Sequence, residues 1–113
     1  MFVKSAIDSW KQSDKTDEWY FSNLRDDLLS KFDCGSALNG INELIPLLLD
    51  EADDFLYLEI VEIIISLARK SETTEVPSKL SVNFGIIKER LNSQGDYAIS
   101  KLDNLASYYR IAM

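Results

Sequence analysis

The sequence predicts an all-α fold, and three observations carry that prediction. Apolar residues recur at intervals of three and four along nearly the whole chain, which is the period of one helix face. Only four glycines and two prolines occur in 113 residues, too few for the many tight turns of an all-β fold. The breaks between periodic stretches are short, and several carry the Ser, Thr and Asp residues that start helices. An apolar fraction of 46% and a charged fraction of 27% are ordinary for a globular chain, and the length suits a single helical domain over residues 1–113.

The first helix is expected over 2–12, where Val3, Ile7 and Trp10 stand at i, i+4 and i+7. The linker SDKTD offers Asp14, Thr16 and Asp17 as N-caps for a second helix over 17–32. Tyr20, Leu24, Leu28 and Phe32 form its stripe, widened by Phe21 and Leu29. DCGS reads as a break, with Gly35 at a C′ position and Ser36 as the next N-cap. A third helix then reaches residue 49, turning Leu38, Ile41, Ile45, Leu48 and Leu49 inward; Gly40 and Pro46 weaken it, and Pro46 is expected to bend or shorten it.

The DEADD corner turns the chain into a fourth helix over 53–70, its acids suited to the positive N-terminal end. Leu56, Ile60, Ile63, Ile64 and Leu67 form the core stripe, and Glu59, Glu62 and Ser66 a polar one. The run IVEIII alone reads equally as a buried strand, but the helical phase from Leu56 to Leu67 outlasts an ordinary strand. SETTEVPS is the most loop-like segment. A fifth helix over 78–92 carries Leu80, Phe84, Ile87 and Leu91 inward, with Gly85 expected to permit close helix packing. Gly95 ends that unit. The sixth helix, over 96–111, has the stripe Ala98, Leu102, Leu105 and Tyr109, with Ile99 and Ala106 beside it. Short breaks make successive helices antiparallel neighbours, so the chain reads as three hairpins, 1–33, 36–70 and 78–112.

The central hairpin resembles a HEAT-type repeat. Leu44, Ile45, Pro46, Leu47 and Leu48 match the LxPLL-like end of the first helix, Asp50 the acidic corner, and Val61, Ile64, Leu67 and Ala68 the second helix. The resemblance implies an α-solenoid-like stacking of hairpins, although the other two hairpins carry no clear copy of the motif.

Most chemistries are excluded by composition. The chain has no His, which removes His-assisted nucleophilic catalysis and zinc sites of the Cys/His kind. Its single cysteine, Cys34, cannot form an internal disulfide and reads as a structural or tolerated residue. Neither GxxxxGK[ST] nor GxGxxG occurs. An EF-hand loop needs glycine at its sixth position, and counting from Asp50 that place holds Phe55. No metal, no cofactor and no enzymatic activity are expected. The N-terminal MFVKSAIDSWKQSDK lacks the apolar core of a signal peptide, and no apolar run is long enough to span a bilayer, so the expected location is the cytoplasm.

Charge is the informative property. With 19 acidic and 12 basic residues the net charge is −7, which opposes binding to nucleic acid or an anionic membrane and favours a basic partner. From Phe32 to Ala68 the chain carries Asp33, Glu43, Asp50, Glu51, Asp53, Asp54, Glu59 and Glu62 and no Lys or Arg. Ordinary surfaces mix the signs, so a one-sign hairpin suggests a field directed at a partner. The expected partner-binding set is Asp50, Glu51, Asp53 and Asp54 at the corner, Glu59 and Glu62 along the helix, and Tyr57 for apolar contact. Trp19, off the stripe of its helix, is a second aromatic candidate.

A small, acidic, single-domain helical chain without catalytic residues also resembles the bacterial immunity proteins of contact-dependent and polymorphic toxin systems. That resemblance implies a protein that binds one cognate toxin, often a basic nuclease, and occludes its active site. The alternative expectation is a HEAT-like scaffold or adaptor that uses an apolar face, as in a homodimer.

Overall fold

The computed structural model describes residues 2–12 and 19–111, with the side chains of residues 2–4 excepted. It contains six helices, α1 (Phe2–Gln12), α2 (Tyr20–Lys31), α3 (Cys34–Asp50), α4 (Asp54–Ser71), α5 (Ser78–Asn92) and α6 (Asp96–Tyr109), and no strand among the described residues. The fold is therefore all-α, and IVEIII lies inside α4. None of these helices is long and apolar enough to cross a membrane.

Consecutive helices pair, α3 with α4 and α5 with α6, and alternate helices stack, α3 on α5 and α4 on both α2 and α6. This neighbour pattern is compatible with a short stack of helical hairpins. α4 lies at its centre. Ten of its 18 residues are buried, a stripe too wide for one partner and suited to three. Ile41, Ile45, Ile60, Leu67, Leu80, Ile87 and Leu91 are fully enclosed in the single core, and enclosing each such side chain contributes about 1.5–3 kcal/mol. α1 joins through aromatic rings: Trp10 lies 5.2 Å from Tyr20 and 5.0 Å from Phe21, and the Tyr20 hydroxyl donates to the Ala6 carbonyl at 2.5 Å.

Several local expectations are corrected. Asp33, not Ser36, caps α3. Its carboxylate accepts from the Ser36 amide at 2.8 Å while the Ser36 hydroxyl accepts from the Asp33 amide at 3.1 Å, a reciprocal capping box. Gly35 thus lies in the first turn of α3 and does not terminate α2. α3 continues through Pro46, which faces solvent while Leu44, Ile45 and Leu48 around it are buried; core packing outweighs one lost backbone hydrogen bond. α2 begins at Tyr20 with Trp19 as its N-cap residue. The candidate caps Asp14, Thr16 and Asp17 lie outside the described residues, as does the side chain of Val3.

Two glycines have identifiable work. A Cβ on buried Gly40 would stand 2.7 Å from Cε1 of Phe32, so the missing side chain admits that ring onto α3. Gly95, at φ 101°, makes the turn from α5 into α6 in a conformation that L side chains rarely adopt. Gly85, expected to allow close packing, is exposed with nothing within 4 Å of a Cβ built on it.

Candidate functional site

The acidic central hairpin does not keep its charge to itself. Each of the four flanking helices sends one cation to it. Lys11 of α1 meets Glu51 at 3.0 Å. Arg25 of α2 reaches Glu59 at 3.1 Å and Glu62 at 3.0 Å. Arg90 of α5 meets Asp54 at 3.3 Å, and Lys101 of α6 meets Glu62 at 3.3 Å. Half of the eight one-sign carboxylates, Glu51, Asp54, Glu59 and Glu62, are thus answered from within the fold. The partners lie 34 to 40 residues away in sequence, which is why no local window contains them.

The corner is clamped as well as neutralised. Glu51 is buried; its carboxylate takes the Asp53 amide at 3.0 Å in addition to Lys11. Asp53 is the N-cap of α4 and accepts from the Leu56 amide at 3.0 Å, where the helix dipole also favours its charge. Arg90 donates to the Glu51 carbonyl and, at 3.0 Å, to the Ala52 carbonyl, so one guanidinium binds the two backbone oxygens of the turn. The same group lies 3.9 Å above the ring of Tyr57.

Tyr57 is consequently not the apolar contact expected of it. It is 1% exposed, one helical turn into α4, covered by Arg90 and the core. Its hydroxyl has no hydrogen-bond partner among the described residues. Burial pushes this phenol above its ordinary range, and the charge of Arg90 pulls the other way.

Glu59 and Glu62, expected to extend the partner-binding set along the helix, are likewise engaged within the fold. They point between helices, where α2 and α6 approach α4. Glu62 gathers Arg25, Lys101 and the Tyr97 hydroxyl, the last at 2.6 Å. That hydrogen bond, with burial next, pushes the Tyr97 phenol up to about 12. Burial lifts the Glu59 carboxyl above its ordinary value, Glu62 adds to the lift, and Arg25 opposes it. The periodic reading placed both acids correctly on one helix face but could not show that a neighbouring helix covers it.

What remains available is a different face. Asp50 is exposed, as are Glu43 of α3 and Asp8 of α1, and none of the three is in an ion pair among the described residues. They rim a groove of about 430 Å³ between α1 and α3, floored by Ile7, Pro46 and Leu47, with Lys11 and Glu51 at its end. Of the sequence-derived set only Asp50 and Glu51 line it. Glu43 was counted in the acidic run without being singled out; Asp8 was missed, because α1 and α3 adjoin only in the folded chain. Phe55, 53% exposed beside the corner, is the open aromatic there and stacks on Trp10 and Phe21. Trp19, the other candidate anchor, is exposed.

Among the described residues no group of three or more His, Cys, Asp or Glu is arranged to hold a metal ion. Cys34 is a free, exposed thiol at the start of α3. No protein-family model matches the chain, and no curated protein or solved structure matches it either.

Proposed function

We propose that the chain is a non-enzymatic binding protein, an antidote of the immunity-protein kind, that occludes a basic surface of a cognate toxin. The observation that carries this reading is the groove between α1 and α3: three exposed carboxylates, Asp8, Glu43 and Asp50, in no ion pair among the described residues, around an apolar floor. The fold supplies cations to Glu51, Asp54, Glu59 and Glu62 of the hairpin and, among the described residues, none to these three, on a chain of net charge −7. A basic side chain or loop entering the groove finds charge at the rim and Leu47 beneath. In a nuclease partner the carboxylates would occupy the places of substrate phosphates, which speeds encounter and blocks substrate together. Asp53 lies at the edge of the same corner but has its own task as the α4 cap.

The test is capture from native lysate by the tagged chain at low and high salt, followed by association rates with the captured basic protein. Reversing Asp8, Glu43 and Asp50 to Lys is expected to slow association by about tenfold or more at low salt, with less effect at high salt. If the triple variant associates as the parent does, the groove is not the interface and the proposal fails.

A further inference from the structure

α5 leaves one of its faces uncovered. Of the five large apolar side chains that stand exposed among the described residues, Val82 (82%) and Ile86 (58%) are on this helix, one turn apart. Single exposed apolar residues need no explanation, but an adjacent pair on one face does. Two charged residues frame the pair, Lys79 before it and Glu89 after it, both exposed and neither in an ion pair among the described residues. At 100° per residue all four fall within about 80° of arc, a single narrow stripe. Gly85 at its flank adds no side chain and has open space beside it.

The order of these residues is its own complement. Val82 and Ile86 lie two residues on either side of Phe84, and Lys79 and Glu89 lie five on either side. A second α5 laid antiparallel across the first, with the two-fold axis at Phe84, sets Val82 against Ile86 of the copy twice, and Lys79 against Glu89 of the copy twice. A parallel arrangement would face like charges with like. We propose that this face is an isologous contact, through which two copies of the chain associate with their α5 helices antiparallel. The stripe is one face of a 15-residue helix, small against the roughly 800 Å² per partner of a standard interface. The dimer is therefore weak and responds to concentration. This contact uses α5, whereas the groove proposed for a basic partner uses α1 and α3, so either can fail without the other.

The experiment is sedimentation velocity on the full chain from about 10 μM to about 1 mM, spanning the affinities a small interface supports. The parent is expected to shift from monomer to dimer across that range. Val82→Arg is expected to hold it monomeric with an unchanged helical circular dichroism spectrum, since Val82 touches little of its own fold. Lys79→Glu and Glu89→Lys are each expected to weaken dimerisation by about tenfold, because each turns two attractive pairs into two repulsive ones. The double variant Lys79→Glu with Glu89→Lys is expected to return to the parent affinity, a recovery that only the antiparallel register produces. A chain monomeric throughout, a dimer indifferent to Val82→Arg, or a double charge swap no better than its single components would each overturn the proposal.

Discussion

Removing Arg25 is the perturbation that most directly examines the charge clamp on α4. Arg25→Met keeps much of the apolar stem and deletes the guanidinium that reaches Glu59 at 3.1 Å and Glu62 at 3.0 Å. The three side chains retain 27%, 18% and 17% of their exposure, so the pairs are neither surface ion pairs nor fully buried ones. Exposed pairs contribute about 0–1 kcal/mol, and hydrogen bonds to charged groups about 1.5–3 kcal/mol. Two contacts between these limits give a loss of about 2–3 kcal/mol at neutral pH, read as a fall in Tm of about 8–12 °C. Lys101 and Tyr97 still hold Glu62, which leaves Glu59 as the carboxylate without a cation.

The pH dependence of this loss has a definite sign. Burial already holds Glu59 above its ordinary value of 4.5 in the folded chain. Between the ordinary and the raised value the folded form keeps a proton that the unfolded form has released, so stability falls as pH rises through that window. Deleting Arg25 removes an effect that lowers the Glu59 value and therefore widens the window upward. The deficit of Arg25→Met should be largest near about pH 7 and should shrink as the carboxyl protonates toward about pH 5. Adding Glu59→Gln should recover a substantial part of it at neutral pH. Urea denaturation of parent and both variants across that range decides the matter. A deficit equal at both ends, or one that Glu59→Gln leaves unchanged, would refute the reasoning.

Two further outcomes test other parts of the fold. Arg90→Lys is expected to lose about 1–2 kcal/mol in urea denaturation, because an ammonium cannot span the Glu51 and Ala52 carbonyls while lying flat on Tyr57; retained stability would mean that charge alone matters there. Gly85→Ala is expected to stabilise the monomer by about 0.5–1 kcal/mol, visible as a higher Tm at dilute concentration, since the position is helical, exposed and open around a Cβ; a lower Tm would reveal a contact on that face that the isolated chain does not show.

Much of the fold was legible because helix formation here follows a short period. All six helices were anticipated within a few residues, and stripes such as Leu80, Phe84, Ile87 and Leu91 are buried as expected. Errors at the element level arose where side chains compete for the same backbone groups. Asp33 and Ser36 both qualify as caps, and only the reciprocal bonds show that Asp33 holds the position and Ser36 the third residue inside. Pro46 was overrated as a breaker because its cost is local whereas the burial of α3 is collective.

The candidate site divides along the same line. The sequence alone determined that the stretch from Phe32 to Ala68 carries eight carboxylates and no cation, and that no His is present to build the common catalytic or zinc constellations. Only the tertiary structure decided which of those carboxylates face a partner of their own chain. Lys11, Arg25, Arg90 and Lys101 come from four different helices, all of them more than 30 residues from the acids they meet, and their approach depends on how α4 packs against its neighbours. Periodicity is a property of consecutive residues and can be read along the chain. Charge compensation depends on distance in space, so the surface left open, Asp8 with Glu43 and Asp50, appears only once α1 lies beside α3.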